Sequence, residues 1–147
     1  MKLHRLAAVA AAAMLLSACA TGPKMAEVKS DIPTLGTDKG RVYFYRSGSM
    51  FGAALQPSIV MNGTVVGDSK PGGFFFVDRA PGPVEVATAT EVEKKSTFTL
   101  EAQQVRYVRT TVGFGIMVGR VYPELVDNET GVKEIEDASY IGQPLRR

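Results

Sequence analysis

An Asn-Gly pair between two short apolar runs is the feature that most constrains the fold of this 147-residue chain. The pair is Asn62-Gly63, and it lies at the centre of the stretch PSIVMNGTVVGD, residues 57–68. A two-residue type I′ turn needs positive φ at both central positions, which Asn and Gly tolerate best. The pattern therefore predicts a β-hairpin with one strand on each side of the turn.

Short stretches rich in β-branched and aromatic residues recur along the chain from residue 41 onward. Pro123 in the last of them favours an edge strand or a bulge over a central strand, because proline cannot donate a ladder hydrogen bond. Strands at a spacing of about 8–12 residues with turn signals between them are typical of a sandwich. We therefore predict a mainly β fold, an antiparallel β-sandwich of about seven to nine short strands. Besides the hairpin, the predicted strands are residues 41–46, 72–78, 84–90, 95–101, 104–112 and 120–127.

The last twenty residues, 128–147, follow no single period. Asn128 can cap a short helix that runs to Glu136, although Gly131 weakens that helix. The stretch ASYIG, residues 138–142, has the composition of a short strand. We expect one short helix near the C-terminus and one last strand.

The amino terminus has the composition of an export signal. Lys2 and Arg5 frame a short cationic head, which is followed by 11 apolar residues, 6–16. This run is shorter than the about 20 residues that a membrane-spanning helix needs, but it suits the apolar region of a secretory signal. Ser17 and Ala18 then lead to Cys19, the single cysteine of the chain.

The four residues LSAC, 16–19, resemble the lipobox of bacterial lipoproteins. This resemblance implies cleavage between Ala18 and Cys19, a diacylglycerol thioether on the Cys19 thiol, and an acyl chain such as palmitate on the new amino group. Two or three acyl chains hold a protein on a membrane, whereas a single chain binds only marginally. Ala20 follows the cysteine, which in enteric-type bacteria implies sorting to the outer membrane, and we expect the domain to face the periplasm.

The chain is thereby divided into three parts. Residues 1–18 are predicted to be the signal peptide, and residues 41–147 the β-sandwich domain. Residues 19–40 hold scattered apolar residues among Gly, Pro, Thr, Lys and Asp with no helical or strand period. We therefore predict that residues 19–40 form a lipid-anchored flexible tether.

Composition excludes several classes of function. The chain has 17 basic and 15 acidic residues, and loss of Lys2 and Arg5 with the signal would leave 15 of each. A neutral domain gives no reason to expect nucleic acid as a partner. The single histidine, His4, also lies in the predicted signal. Catalysis by Ser-His-Asp or Cys-His groups and Cys/His metal sites are therefore excluded, and we expect a non-enzymatic protein with no catalytic residues, metal or other cofactor.

A series of motifs over roughly residues 38–137 carries a resemblance to a known family. The series resembles a family of bacterial lipoproteins called domain of unknown function 2846. The resemblance implies an envelope lipoprotein and supplies no activity. In chain order the motifs are Lys39-Gly40, the aromatic strand 42–45, the small apolar loop 51–54, Asn62-Gly63, Val66-Gly67, the glycine-aromatic strand 73–75, Pro81-Gly82 and VGRVYPELV at 118–126.

Two apolar, glycine-rich stretches are the candidate contact loops. They are GSMFGAAL, residues 48–55, and GFGIMVG, residues 113–119. Exposed apolar patches usually mark contact sites, so the candidate contact residues for a lipid, an envelope protein or the cell wall are Phe51, Phe114, Ile116 and Met117. The alternative is that both loops fold onto the open end of the sandwich and are buried there.

Three hypotheses for the function follow. The first is a non-enzymatic envelope module that binds a partner or supports envelope structure. The second is a cell-wall hydrolase with paired carboxylates about 5–10 Å apart, drawn from Glu91 with Glu93 or from Glu124, Asp127 and Glu129. The third is a carrier that holds a small apolar ligand between the sheets. A carboxylate cleft, an empty apolar cavity, or a filled core with flat faces would distinguish them.

Overall fold

A computed structural model describes residues 19–145 and places two β-sheets face to face. This confirms the predicted mainly β sandwich, with nine short strands and one short helix near the C-terminus. A second helix of four residues precedes the first strand. The elements are α1 (Met25–Val28), β1 (Gly40–Tyr45), β2 (Ser58–Met61), β3 (Thr64–Asp68), β4 (Gly73–Arg79), β5 (Gly82–Ala89), β6 (Glu93–Leu100), β7 (Val105–Gly113), β8 (Arg120–Val126), α2 (Asn128–Ile135) and β9 (Ser139–Tyr140).

The strands form a five-stranded sheet of order β8-β7-β1-β4-β9 and a four-stranded sheet of order β3-β2-β5-β6. Most neighbours are antiparallel, as predicted, but β1 pairs with β7 and β4 with β9 in parallel. The parallel pairing of β1 with β7 is possible because the chain passes through strands of the second sheet between them and enters β7 in the direction of β1. Pro123 lies in the edge strand β8, where a missing backbone donor is tolerated.

The Asn62-Gly63 turn joins β2 to β3 as predicted. Asn62 has a φ of 48° and Gly63 a φ of 80°, both positive. The Asn62 side chain also ties the turn to the neighbouring strand. Its oxygen accepts a 2.7 Å hydrogen bond from the Glu85 amide, and its nitrogen donates one of 3.0 Å to the Pro83 carbonyl.

The inner faces of the two sheets form the main core. Alternation along β1 turns Val42 and Phe44 inward, and the Phe44 ring stacks on Phe75 at a centroid distance of 5.1 Å. The side chains of both sheets fill the space between them with apolar atoms. The buried members of this core are Val42, Phe44, Ile59, Met61, Phe75, Val84, Val86, Leu100 and Val108.

The outer face of the five-stranded sheet is aromatic and is covered by a third layer. Tyr43 stacks on Tyr107 with ring centroids 5.2 Å apart. Residues 25–35 and α2 pack over these rings and contribute the buried side chains of Val28 and Ile135. The domain therefore has two hydrophobic clusters, one on each side of the five-stranded sheet.

The prediction that residues 19–40 form a flexible tether is wrong. Within this segment Val28 is buried against the domain, and Lys24 forms an isolated bridge with Ser139. The Tyr140 amide donates a 2.8 Å hydrogen bond to the Pro23 carbonyl. Apolar residues that show no period in the sequence pack here against the aromatic outer face of the sheet.

The helix α2 covers residues 128–135, close to the predicted range, but its N-cap is Asp127 and not Asn128 as predicted. The Asp127 carboxylate accepts a 2.8 Å hydrogen bond from the Thr130 amide. Gly131, which weakens the helix in isolation, faces the sheet, and a β-carbon at this position would overlap the ring of Tyr107. The glycine is therefore needed for the close approach of α2 to β7.

The predicted signal peptide, residues 1–18 with Ala18, lies outside the described residues. In the part of the chain that the structure does describe, no helix has the length and apolar character needed to cross a membrane.

Candidate functional site

Three loops meet at one end of the sandwich, which we call the apolar end. It consists of residues 48–55 after β1, residues 90–92 between β5 and β6, and residues 113–119 after β7. Because β1 and β7 run parallel and side by side, the loops that follow them emerge next to each other. The rings of Phe51 and Phe114 meet edge to face with centroids 5.5 Å apart.

The side chains of the apolar end are exposed to solvent. Phe114, Ile116 and Met117 are 87%, 85% and 84% exposed, and Phe51 is also exposed. The alternative, in which both loops fold onto the end of the sandwich and are buried, is therefore wrong. Nine large hydrophobic side chains of residues 19–145 are exposed, and seven of them lie here: Met50, Phe51, Val92, Phe114, Ile116, Met117 and Val118.

The Glu91 carboxylate holds the backbone of residues 113–119. It accepts hydrogen bonds from the amides of Ile116 and Met117, each at 2.8 Å, and from Val118 at 3.4 Å. The Arg120 guanidinium donates a further bond of 3.1 Å to the same carboxylate. The Met117 and Ile116 amides are the main reason that the pKa of Glu91 lies below its ordinary value. The loop backbone is thus fixed while its apolar side chains face outward.

The Arg46 guanidinium holds the backbone of residues 48–55. This side chain is buried, and it donates hydrogen bonds of 2.5 Å to the Leu55 carbonyl and 2.8 Å to the Gly52 carbonyl. A third bond of 3.1 Å goes to the Ser69 carbonyl. Burial lowers the pKa of Arg46. Both apolar loops are therefore held from inside by a charged side chain, and neither role is visible in the sequence.

Replacing Glu91 with glutamine is expected to accelerate amide hydrogen exchange at Ile116 and Met117, because the neutral amide accepts their hydrogen bonds less strongly. In the unchanged protein folding lowers the pKa of Glu91, so the charged carboxylate protects the Ile116 and Met117 amides fully above its ordinary pKa of 4.5. The protection of these amides is expected to fall as the pH drops through the lower pKa that Glu91 has in the folded protein. Hydrogen exchange corrected for intrinsic rates measures both effects.

The matched control for this prediction is Glu93→Gln. Glu93 lies two residues away and contacts Lys95 of the same strand, β6, at 3.3 Å. It should leave the exchange of residues 116–118 unchanged. Equal protection in Glu91→Gln and in the unchanged protein would contradict the role assigned to Glu91.

Cys19, the predicted lipidation site, lies at the same end of the sandwich as the apolar loops. It is half-buried and lines one surface depression together with Ser47 and Gly48, which follow the end of β1. The amide of the next residue, Ala20, donates a 2.8 Å hydrogen bond to the Pro71 carbonyl. The chain is therefore fixed to the domain one residue after the cysteine.

Four of the carboxylates considered for hydrolysis have structural contacts. Glu91 holds the loop, and Glu93 contacts Lys95. Glu124 pairs with Arg109 at 2.9 Å, and Asp127 caps α2. Across residues 19–145, no group of three or more His, Cys, Asp or Glu side chains is placed to hold a metal ion.

A groove lies on the outer face of the five-stranded sheet, between residues 25–35 and α2. Its volume is about 660 Å³, within the range of small-molecule sites. Tyr43 and Tyr107 line it together with apolar side chains of the two covering segments, which include Met25, Ile32, Leu35 and Ile135. The charged residues Lys29, Arg41, Glu136 and Asp137 also line the groove.

The fold and these loops define a β-sandwich domain with an apolar end and a packed amino-terminal segment. The chain belongs to the family described as protein of unknown function (DUF2846), whose model matches residues 36–121. This match confirms the predicted family and includes both candidate contact loops. The chain is also similar to an uncharacterized protein of Haemophilus influenzae, with 30% identity over 134 residues, 88% of this chain and 79% of the relative. No solved structure matches the chain significantly.

Proposed function

We propose that this protein is a lipoprotein of the bacterial envelope, anchored through Cys19, and that its domain is a non-enzymatic binding or structural module. The observation that carries the proposal is the stretch LSAC at the correct distance after an 11-residue apolar run. The position of Cys19 is compatible with it, because the thiol lies at the edge of the domain and at the end that carries the exposed loops.

The apolar loops 48–55 and 113–119, whose backbones are held by Arg46 and Glu91, support a role in contact with a partner. Exposed apolar patches of this kind usually mark interaction sites. The carboxylates Glu91, Glu93, Glu124 and Asp127 are engaged in ion pairs, a loop contact and a helix cap, which favours the module over the hydrolase. Ala20 after the cysteine supports an outer-membrane location, and the domain is proposed to face the periplasm. The balance of 15 basic and 15 acidic residues after the predicted cleavage gives no basis for nucleic-acid binding.

Replacing Cys19 with serine tests the anchor, because a hydroxyl is a poor substitute for the thiol in thioether formation. Mass spectrometry of the amino-terminal peptide should show a lipid-modified Cys19 in the unchanged protein. The variant should remain uncleaved at that site and carry no lipid. Ser17→Ala is the matched control, since it keeps a small residue before the cleavage site and should be processed normally. An unmodified Cys19 in the unchanged protein would contradict the proposal.

A carrier of a small apolar ligand is the second candidate, and the groove under residues 25–35 is the observation that favours it. The space between the sheets, which the third hypothesis assigns to such a ligand, is filled by the core side chains. Organic extraction of the purified full chain tests this candidate, because a carrier would release one apolar molecule per chain. A purified chain without such a molecule would leave the groove without support as a carrier site.

A further inference from the structure

We propose that the apolar end inserts its loop tips into the same lipid surface that holds the anchor, so that the domain sits directly on the membrane. This inference rests on the proposed lipid anchor and adds to it a second membrane contact made by the protein itself. The residues that enter the lipid are those at the loop tips: Met50, Phe51, Phe114, Ile116 and Met117.

The first argument is the place where the chain leaves the domain. The Ala20 amide donates a hydrogen bond to the Pro71 carbonyl, and Lys24 forms an isolated β-bridge with Ser139. Little free chain therefore separates Cys19 from the fold. Lipid on Cys19 would therefore leave from the depression that Cys19 lines together with Ser47 and Gly48, at the end where the loop 48–55 begins. The anchor therefore brings the membrane to the apolar end.

The second argument is the chemistry of the exposed surface. The loops 48–55 and 113–119 contain no charged residue. Glu91 is the single charge in residues 90–92, and three backbone amides and Arg120 satisfy it. Protruding aromatic and aliphatic side chains without free charges suit the boundary between headgroups and acyl chains. A soluble protein partner would more often meet an apolar centre with a polar rim.

The third argument is the rigidity of the loops. Glu91 and Arg46 fix the two loop backbones before any contact is made. Insertion then does not require the loops to be ordered on binding, which is a large part of the cost of association for flexible segments. Loops without these internal contacts would be free to fold their apolar side chains back onto the domain.

The chain contains no tryptophan, so one introduced tryptophan reports its own surroundings. The full chain carrying Phe114→Trp is reconstituted into vesicles of phosphatidylethanolamine and phosphatidylglycerol, with or without brominated acyl chains. We expect the tryptophan emission to shift to the blue in both kinds of vesicle and to be quenched in the brominated vesicles. Ile116→Trp should behave in the same way, which guards against a local effect of losing the Phe51–Phe114 contact.

The matched control is Val65→Trp. Val65 is 62% exposed and lies next to the Asn62-Gly63 turn. That turn lies at the opposite end of the sandwich, since it contacts the start of β5 while the apolar end follows the end of β5. The emission of the Val65→Trp variant should remain that of a water-exposed indole in both kinds of vesicle.

The outcomes separate this inference from the proposed anchor. Unquenched, water-like emission from both Phe114→Trp and Ile116→Trp would overturn insertion, even if mass spectrometry finds lipid on Cys19. Blue-shifted emission that brominated lipid does not quench would show that a protein or a second copy covers the loops, and would also overturn it. Quenching with an unmodified Cys19 would support insertion and remove the thioether anchor. A chain that does not associate with vesicles would contradict both.

Discussion

Asp78→Ala is expected to lower the free energy of unfolding by about 2–4 kcal/mol, because it leaves a buried guanidinium without its counter-charge. Arg41 is 5% exposed and donates two hydrogen bonds to the Asp78 carboxylate, at 2.6 and 2.7 Å. The hydrogen bond to Asp78 is the main reason that the pKa of Arg41 is raised. Urea unfolding of the purified full chain measures the loss.

The neighbours of Arg41 explain why the loss should be large. Its guanidinium lies 4.3 Å from the centre of the Phe76 ring and donates a 2.8 Å hydrogen bond to the Pro33 carbonyl. It therefore connects β1, β4 and the amino-terminal segment, and it cannot turn to water without disturbing all three. The Asp78 side chain is partly exposed, which keeps the expected loss toward the lower end for a broken buried pair.

Glu85→Ala is the control for Asp78→Ala. Glu85 pairs with Lys95 at 2.9 Å, and both side chains are close to half exposed. Exposed pairs of this kind contribute little to stability, so this variant should unfold near the urea concentration of the unchanged protein. If Asp78→Ala proved as mild as Glu85→Ala, the structural role of the Arg41 pair would be refuted.

Gly131→Ala is expected to destabilise the domain by about 1–3 kcal/mol, the usual cost of an overpacked contact. In an isolated helix the same change would stabilise by about 1 kcal/mol, since alanine is the better helix former. The sign is reversed here because the new methyl group would overlap Cβ and Cγ of Tyr107, which cannot swing aside as the end of a long side chain can. Thermal unfolding measures the difference.

Two further variants distinguish the effect of the contact between residue 131 and Tyr107 on stability from the effect of helix propensity. Val132→Ala, at an exposed position of α2, should be neutral or slightly stabilising. Tyr107→Leu should reduce the penalty of Gly131→Ala, since the smaller side chain leaves room for the methyl group. A stabilising effect of Gly131→Ala in the unchanged background would show that α2 does not need its close approach to β7.

The parts of the fold that could be predicted are those governed by local rules. The Asn62-Gly63 turn follows from the need for positive φ, and the strands follow from runs of β-branched and aromatic residues. Side chains alternate along a strand, and accordingly Phe75 lies on one face of β4 and Phe74 and Phe76 on the other. An edge strand or a bulge is predicted for Pro123 because its missing donor is a local property of the residue, and the edge is observed.

The parts that could not be predicted depend on contacts between distant residues. Residues 19–35 show no period, since they do not form a long amphipathic element but pack piecewise against an aromatic face. The exposure of the loop 113–119 depends on Glu91, which lies 25 residues before Ile116 and resembles an ordinary charged hairpin residue. Apolar, glycine-rich composition is equally compatible with burial and exposure. The contacts of Glu91 and Arg46 decide between them.

The packing of residues 20–35 against the sheet changes how far an anchored domain could travel. A flexible tether of 20 residues could extend about 70 Å from a membrane, whereas one free residue reaches about 4 Å. A domain anchored at Cys19 would therefore search in two dimensions, moving with the lipids around it. The partners available to it would be membrane proteins that diffuse in the same leaflet, or envelope components that come within a few ångströms of the headgroups.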